Sequence, residues 1–277
     1  MNTPSDSIPL YYETHHTNDA QRPWILFVHG AGGSTRTWRK QWEHFADHFN
    51  LLAIDLPGHA RSAEATLNQM HYDFEWIGNK IWEVVDLLKL QKVHLMAVSL
   101  GSIIAMQMQH SRPHQVHSLI FAGPIVGLNT KLRILARTGL TLAKIIGYQN
   151  FYALTARLTL PRKNHKKSRD IFVRESKFIS DAEYKKWTAM YGKTLDNTLK
   201  RLFEHRPPVS VYFLIGAQDH LFIGPAMNYA GKFDNIIVDI IEKCGHLVSL
   251  EKSAIFNEKC KLHLNHCGAL ETEDQLT

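Results

Sequence analysis

A serine, an aspartate and a histidine stand in that order along the chain, each just past an apolar run. Ser99 lies in Ala97-Val98-Ser99-Leu100-Gly101, between a strand-like segment and a helix-like one. A serine at such a junction sits on a sharp turn that lifts its hydroxyl above the carboxyl edge of a sheet. The turn crowds backbone against backbone, so small residues are needed two positions before and after the serine. Gly101 fits, and Ala97 stands where glycine is commoner. Alone, a Ser-x-Gly is also compatible with plain turn chemistry.

A serine nucleophile needs a base within reach and an acid to orient that base. Leu214-Ile215-Gly216-Ala217-Gln218-Asp219 puts a carboxylate beyond a strand's carboxyl end, and Cys244-Gly245-His246-Leu247 puts an imidazole in the loop after the last strand. All three groups are expected at one sheet edge. Before them, His29-Gly30-Ala31-Gly32-Gly33-Ser34 forms a glycine-rich loop after the first clear strand. Such a loop can aim backbone N–H groups at a developing oxyanion. The donors are assigned to Ala31 and to Leu100, the residue after the serine. The loop lacks the spaced lysine of a phosphate-binding loop and the G-x-G-x-x-G of a dinucleotide site.

These groups must be positioned by alternating strands and helices. Strands are expected at Trp24–Val28, Leu51–Ile54, Val93–Val98, Val116–Phe121, Val209–Ile215 and Ile236–Ile241. Helices are expected at Thr37–Phe49, Phe74–Leu88, Leu100–His110 and from Ser249. That alternation implies a doubly wound, mostly parallel α/β sheet covered on both faces. From Pro124 to Arg206 the pattern breaks into helix-like stretches without a clear strand, and Pro207-Pro208 marks the return. The expected organisation is a core of residues 1–123 and 207–277 with a helical cap at 124–206.

In this order the motifs resemble the α/β-hydrolase superfamily, in its lidded serine esterase and lipase-like branch. The matching pieces also include Asp55-Leu56-Pro57-Gly58-His59-Ala60-Arg61-Ser62 and Gly245-His246-Leu247-Val248-Ser249-Leu250-Glu251-Lys252. Together they span the chain from Trp24 to about Lys261. The resemblance implies an eight-stranded sheet, a cap, and the triad Ser99, Asp219 and His246 acting without cofactor or metal. Ala97 and Ala60 depart from the usual glycines, and neither removes a catalytic group. A serine rather than an aspartate nucleophile argues against dehalogenase or epoxide-hydrolase chemistry.

Composition narrows the classes further. Of 277 residues, 44% are apolar and 21% charged, ordinary values for a globular protein. Residues 1–7 show neither a basic nor an apolar signal region, and no run approaches the roughly 18 apolar residues of a membrane span. A cytoplasmic location is therefore expected. Cys244, Cys260 and Cys267 suggest no disulfide framework. Seventeen histidines include His44 and His48 at helical spacing, but no glutamate follows His44 as in His-Glu-x-x-His, and no metal site is expected. Asp55 reads as a turn residue. Asp239, inside the last strand, is a weaker rival to Asp219.

The net charge of +6 is uneven, because Pro124–Arg206 holds 18 basic and 6 acidic residues. Arg133 and Arg137 lie one turn apart, and Arg162, Lys163, Lys166, Lys167 and Arg169 cluster. The choice is between a solvated face and a surface for an anionic partner, such as an acidic acyl carrier protein or a membrane surface. The apolar cap residues, among them Leu132, Ile145, Phe151 and Tyr152, fit an acyl pocket and ordinary helix packing equally well. No nucleic-acid-binding module is recognisable.

The expected activity is hydrolysis of short or medium acyl esters through an acyl-enzyme on Ser99. A carrier-linked, pimeloyl-type methyl ester esterase is the alternative, and the basic cap of such esterases resembles this one. Less favoured are a carbon–carbon bond hydrolase and a non-catalytic binding protein on the same scaffold.

Overall fold

The computed structural model describes residues 8–17, 19 and 21–274, with the side chains of 131, 135–137, 140 and 268–274 outside that description. Residues 1–7, read above for a signal sequence, also lie outside it. Among the described residues, no helix is long and apolar enough to cross a membrane.

Seven strands form one sheet: β1 (Tyr12–His15), β2 (Trp24–Val28), β3 (Asn50–Ile54), β4 (Val93–Val98), β5 (Val116–Ala122), β6 (Ser210–Gly216) and β7 (Ile236–Ile241). Their order is β1-β3-β2-β4-β5-β6-β7. Every pairing is parallel except β1 against β3. The eight strands implied by the resemblance are thus seven among the described residues. Ahead of β1 the backbone is committed elsewhere. Tyr11 N–H donates to Ser62 Oγ (2.8 Å), and the Tyr11 carbonyl accepts from Asp55 N–H (2.9 Å).

The central strands are mostly apolar because both faces are covered. Every residue of β3 and β4 is buried. Side chains alternate across a strand, so the same strands feed two separate cores. Leu26, Val28, Leu52, Ile54, Leu95 and Ala97 pack on one face with α2 (Phe74–Leu87) and α3 (Leu100–Ser111). Ile25, Phe27, Leu51, Ala53, Met96 and Val98 pack on the other with α1 (Arg39–Phe45) and the late helix that carries Phe256, Cys260 and Leu264.

The expected helix from Thr37 to Phe49 is shorter. It starts as a 3-10 turn at Thr35–Trp38, and α1 ends at Phe45. Between β5 and β6 the chain runs through four helices: α4 (Thr130–Ile146), α5 (Tyr148–Thr159), α6 (Lys166–Glu175) and α7 (Asp181–Phe203). Asn129 caps α4 and Ser180 caps α7, each side chain accepting a backbone N–H. After β6 come α8 (Ile223–Ala230) and β7. The helix expected from Ser249 is divided into α9 (Val248–Glu251) and α10 (Ser253–Asp274).

The sheet reverses its winding beside β2, with β3 on one side and β4 on the other. In such sheets the crevice at the carboxyl ends of the two diverging strands is the natural ligand site. The glycine-rich loop leaves β2 there, and the Ser99 turn leaves β4.

One departure from the expected glycines has a measurable consequence. Ala60 sits at φ 42°, in the left-handed region. That conformation costs an L-residue about 1–2 kcal/mol, whereas glycine costs about 0.5–1 kcal/mol in chain entropy. Ala60→Gly should therefore raise stability by about 0.5–1 kcal/mol, read as a higher urea midpoint. A lower midpoint would show that the alanine methyl group contributes packing that outweighs the strain.

Candidate active site

Ser99 follows β4 at φ 53° and ψ −121°, outside the regions that L-residues ordinarily occupy. Its N–H donates to the Ala122 carbonyl (3.1 Å) at the end of β5. Its carbonyl accepts from Ser102 Oγ (2.6 Å), which in turn accepts from Ile125 N–H (3.0 Å). The Ser99 hydroxyl donates to His246 Nε2 (2.8 Å), and His246 Nδ1–H donates to Asp219 Oδ2 (2.7 Å). The three residues singled out by spacing are therefore brought into one hydrogen-bonded line.

Asp219 is fully buried and His246 nearly so. Burial works to raise the Asp219 pKa. The charge and hydrogen bond of His246, with the Phe222 N–H on Oδ1 (3.2 Å), outweigh it and hold the carboxyl below its ordinary value. The Phe222 ring lies against the His246 ring with centroids 4.7 Å apart. Sequence reasoning missed Phe222, because nothing in the spacing of Asp219-His220-Leu221-Phe222 marks the ring as a neighbour of a histidine 24 residues on.

The loops that carry these groups are fixed by their neighbours. Glu251 accepts from both residues that flank His246: Gly245 N–H on Oε2 (2.9 Å) and Leu247 N–H on Oε1 (3.3 Å). Gln218 N–H donates to the Cys244 carbonyl (2.8 Å), so the aspartate loop hangs from the histidine loop. His165, fully buried before α6, reaches Gln218 Oε1 through Nε2 (2.8 Å).

The glycine-rich loop turns at Gly30–Gly33, where Gly33 N–H donates to the Gly30 carbonyl (3.0 Å). Two buried histidines hold it. His29 Nδ1–H donates to the Gly30 carbonyl (2.7 Å), while its Nε2 accepts from Leu56 N–H (2.9 Å). His59 Nδ1–H donates to the Pro57 carbonyl (3.0 Å), and its Nε2 accepts from Gly32 N–H (3.1 Å). Neither Ala31 N–H nor Leu100 N–H donates to an acceptor among the described residues.

The remaining candidates fall as follows. Asp55 ties loops together, accepting from Thr35 N–H (2.6 Å) and Arg61 N–H (3.1 Å), as its turn role predicts. Asp239 is engaged by Tyr212 and by Lys259, away from His246. Arg133 lines a cavity walled by Tyr152, Tyr184 and Tyr191 and pairs with Asp196 (3.2 Å); the side chain of Arg137 lies outside the described residues. Within the basic cluster, Lys166 pairs with Asp170 (2.7 Å) and Arg169 donates to the Leu160 carbonyl (2.7 Å). Lys163, Lys166 and Lys167 line an open surface groove. Among the described residues, no group of three or more His, Cys, Asp or Glu side chains could hold a metal ion.

Residues 23–253 match the family model of the alpha/beta hydrolase fold, and the chain belongs to that family. It is 30% identical over 116 residues to a putative carbamate hydrolase of Agrobacterium fabrum. It is 32% identical over 100 residues to a pimeloyl-[acyl-carrier protein] methyl ester esterase of Aeromonas salmonicida. These matches cover 40% and 36% of this chain but only 42% and 37% of the relatives. A carboxylesterase structure from the thaumarchaeon Nitrososphaera gargenis superposes with a TM-score of 0.78 at 17% identity, covering 97% of this chain and 98% of that one.

The two loop histidines make stability depend on pH. Burial lowers the pKa of His29 to about 4. Burial and the neighbouring His29 lower that of His59 to about 3. Both Nε2 atoms accept hydrogen bonds, which requires the neutral form. Between about pH 6.5 and these values the unfolded chain binds protons that the folded chain does not. Stability therefore falls as pH drops, by up to about 2 kcal/mol per histidine between pH 7 and pH 5. Urea unfolding at the two pH values should show a lower midpoint at pH 5. Equal midpoints would mean that the rings protonate freely in the folded state.

Proposed function

We propose that this protein is a serine ester hydrolase that cleaves short or medium acyl esters through an acyl-enzyme on Ser99. The observation that supports this most is the single line from Ser99 through His246 to Asp219, with two undonated backbone N–H groups beside the serine. His246 Nε2 takes the hydroxyl proton as Ser99 Oγ attacks the ester carbonyl. Asp219 holds the tautomer that leaves Nε2 free and stabilises the imidazolium. Ala31 N–H and Leu100 N–H stabilise the tetrahedral oxyanion, each donor being worth about 3–4 kcal/mol. The imidazolium returns its proton to the departing alcohol. Water then repeats the sequence on the acyl-enzyme and frees the acid. The side chains in line are sufficient for every proton transfer.

In this reading residues 1–123 and 207–277 form the catalytic core and residues 124–206 a helical cap. Contacts between α5–α7 and the core loops support it. Tyr152 of α5 lies against Gly32, and Phe172 of α6 lines the cleft that contains Ser99. Trp187 of α7 donates to the Pro57 carbonyl (3.0 Å).

The carrier-linked methyl ester reading has one specific observation behind it. Ile171 forms part of both the lysine-lined groove and the Ser99 cleft, so the two spaces share that side chain as a wall.

Hydrolysis of a p-nitrophenyl ester series from acetate to palmitate tests the main proposal. The wild type should turn over, and Ser99→Ala should lose about 10⁶-fold in kcat. A wild type inert on every ester, or a variant that keeps its rate, would remove Ser99 as an ester nucleophile. The carbon–carbon hydrolase and binding-protein readings would then lead. For a carrier-bound substrate, raising salt to about 0.5 M should cut the rate steeply, because it screens the lysines. A salt-independent rate would leave the carrier reading without support.

A further inference from the structure

Two spaces of very different size flank the reaction centre. One is a cavity of about 350 Å³ between the cap helices and the glycine-rich loop, whose walls include Tyr152, Tyr184 and Tyr191. The other is a cleft of about 30 Å³ that contains Ser99, Gly30 and Glu175. Ala31 and Phe172 belong to both, so the two spaces meet at the proposed oxyanion donor.

The larger space has an unusual wall. Most of its surface is aromatic or aliphatic, which suits a hydrocarbon chain. Yet three phenol hydroxyls belong to it, and none meets a hydrogen-bond partner among the described residues. The Tyr184 hydroxyl is buried and unpaired. The Tyr152 and Tyr191 hydroxyls also find no protein partner, although Tyr148 in the same helical layer donates to the Ile179 carbonyl (2.5 Å). The rings are close together: Tyr152 and Tyr184 have centroids 5.9 Å apart. Tyr152 also reaches the glycine-rich loop, since a methyl group placed on Gly32 would lie 3.1 Å from its hydroxyl.

Of the three, only the Tyr184 hydroxyl is closed off from solvent; those of Tyr152 and Tyr191 open on the cavity, and donors that face an apolar space without a protein partner call for an acceptor on the ligand. Burial raises the pKa of each ring, with Tyr184 pushed up to about 12. All three therefore remain O–H donors at any working pH. A saturated chain would cover these donors and leave them unsatisfied. A chain bearing a carbonyl oxygen would satisfy them.

Building on the reading of Ser99 as an ester nucleophile, we propose that the tyrosine-walled cavity selects an oxygen-bearing substrate. The larger half of the ester carries a carbonyl acceptor that Tyr152 and Tyr191 bind. The small cleft admits only a short group on the other side of the ester bond. Tyr152 and Tyr191 are then specificity-determining residues.

The test uses two probe series. In one, methyl octanoate is compared with keto derivatives whose ketone moves from C3 to C7. In the other, octyl acetate is compared with the matching keto-octyl acetates. Binding to full-length Ser99→Ala protein is measured by calorimetry, so the readout does not depend on turnover. We expect one keto position in at least one series to bind about tenfold or more tightly than its plain parent. That ratio should collapse towards one when Tyr152→Phe and Tyr191→Phe are added. Phenylalanine keeps the ring, and an unchanged thermal midpoint would confirm that the fold is intact. Equal binding of keto and plain esters in both series would overturn the proposal. So would a preference that survives both substitutions. Failure of the wild type to hydrolyse any ester would instead count against the Ser99 reading, while the binding ratio still decides the role of the cavity.

Discussion

Ser99 is held at φ 53° because the chain must reverse between the end of β4 and the start of α3 with almost no room to do so. A Cβ at Gly101 would stand 2.4 Å from the Val28 carbonyl oxygen and 2.8 Å from that of His29. The first turn of α3 therefore lies directly against the end of β2. This close approach brings the serine, Leu100 N–H and the glycine-rich loop into one space. A larger residue at 101 would push the helix off β2 and separate the hydroxyl from the loop. The unfavourable backbone conformation is maintained because the strands around it are tightly packed. Met96 and Ala97 are completely buried, and Ser99 N–H is tied to β5.

The helices between β5 and β6 act on the same space from above through buried polar contacts. Glu175 of α6 accepts from Ser34 Oγ (3.0 Å) in the glycine-rich loop. Glu183 of α7 is bonded by Tyr72 and Lys186 and comes so near Gly58 that a Cβ there would collide with its carboxylate at 2.1 Å. Asn164 and His165 hold the Gln218 side chain beside Asp219. The glycine-rich loop and the aspartate loop thus each have a polar tie to the helical layer. Losing one partner of a buried, charged tie costs more than the bond itself is worth, because the other partner is left unpaired. The orientation of these helices is consequently coupled to the loops, and through them to the groups beside Ser99.

The groups with chemistry to offer were legible because each follows an apolar run long enough to be a buried strand. Val93–Val98 ends at Ser99, Ser210–Gly216 precedes Asp219, and Ile236–Ile241 precedes His246. A parallel sheet sends all such ends to one edge, so residue type and position together identify them. Strand β1 was not legible. It is a four-residue antiparallel edge, half-buried throughout, and Tyr12-Glu13-Thr14-His15 shows neither alternation nor an apolar run. The histidine supports of the glycine-rich loop were hidden for another reason. His59 acts on Gly32 across 27 residues, and no local spacing encodes that pairing. The same holds for the tyrosines. Tyr152, Tyr184 and Tyr191 meet in one cavity only through the way α5 and α7 pack. Arg133 was legible as a cation, and its pairing with Asp196, 63 residues away, was not.

The central claim is that Ser99, activated by His246, is a nucleophile. Labelling with a fluorophosphonate, followed by peptide mass mapping, addresses it without reference to any substrate. The probe forms a covalent bond only where a serine hydroxyl is deprotonated by a positioned base beside an oxyanion site. The account predicts one adduct per chain, on the peptide that contains Ser99, and its loss in His246→Ala although the serine is still present. An adduct on another residue, or unchanged labelling of Ser99 without His246, would contradict it.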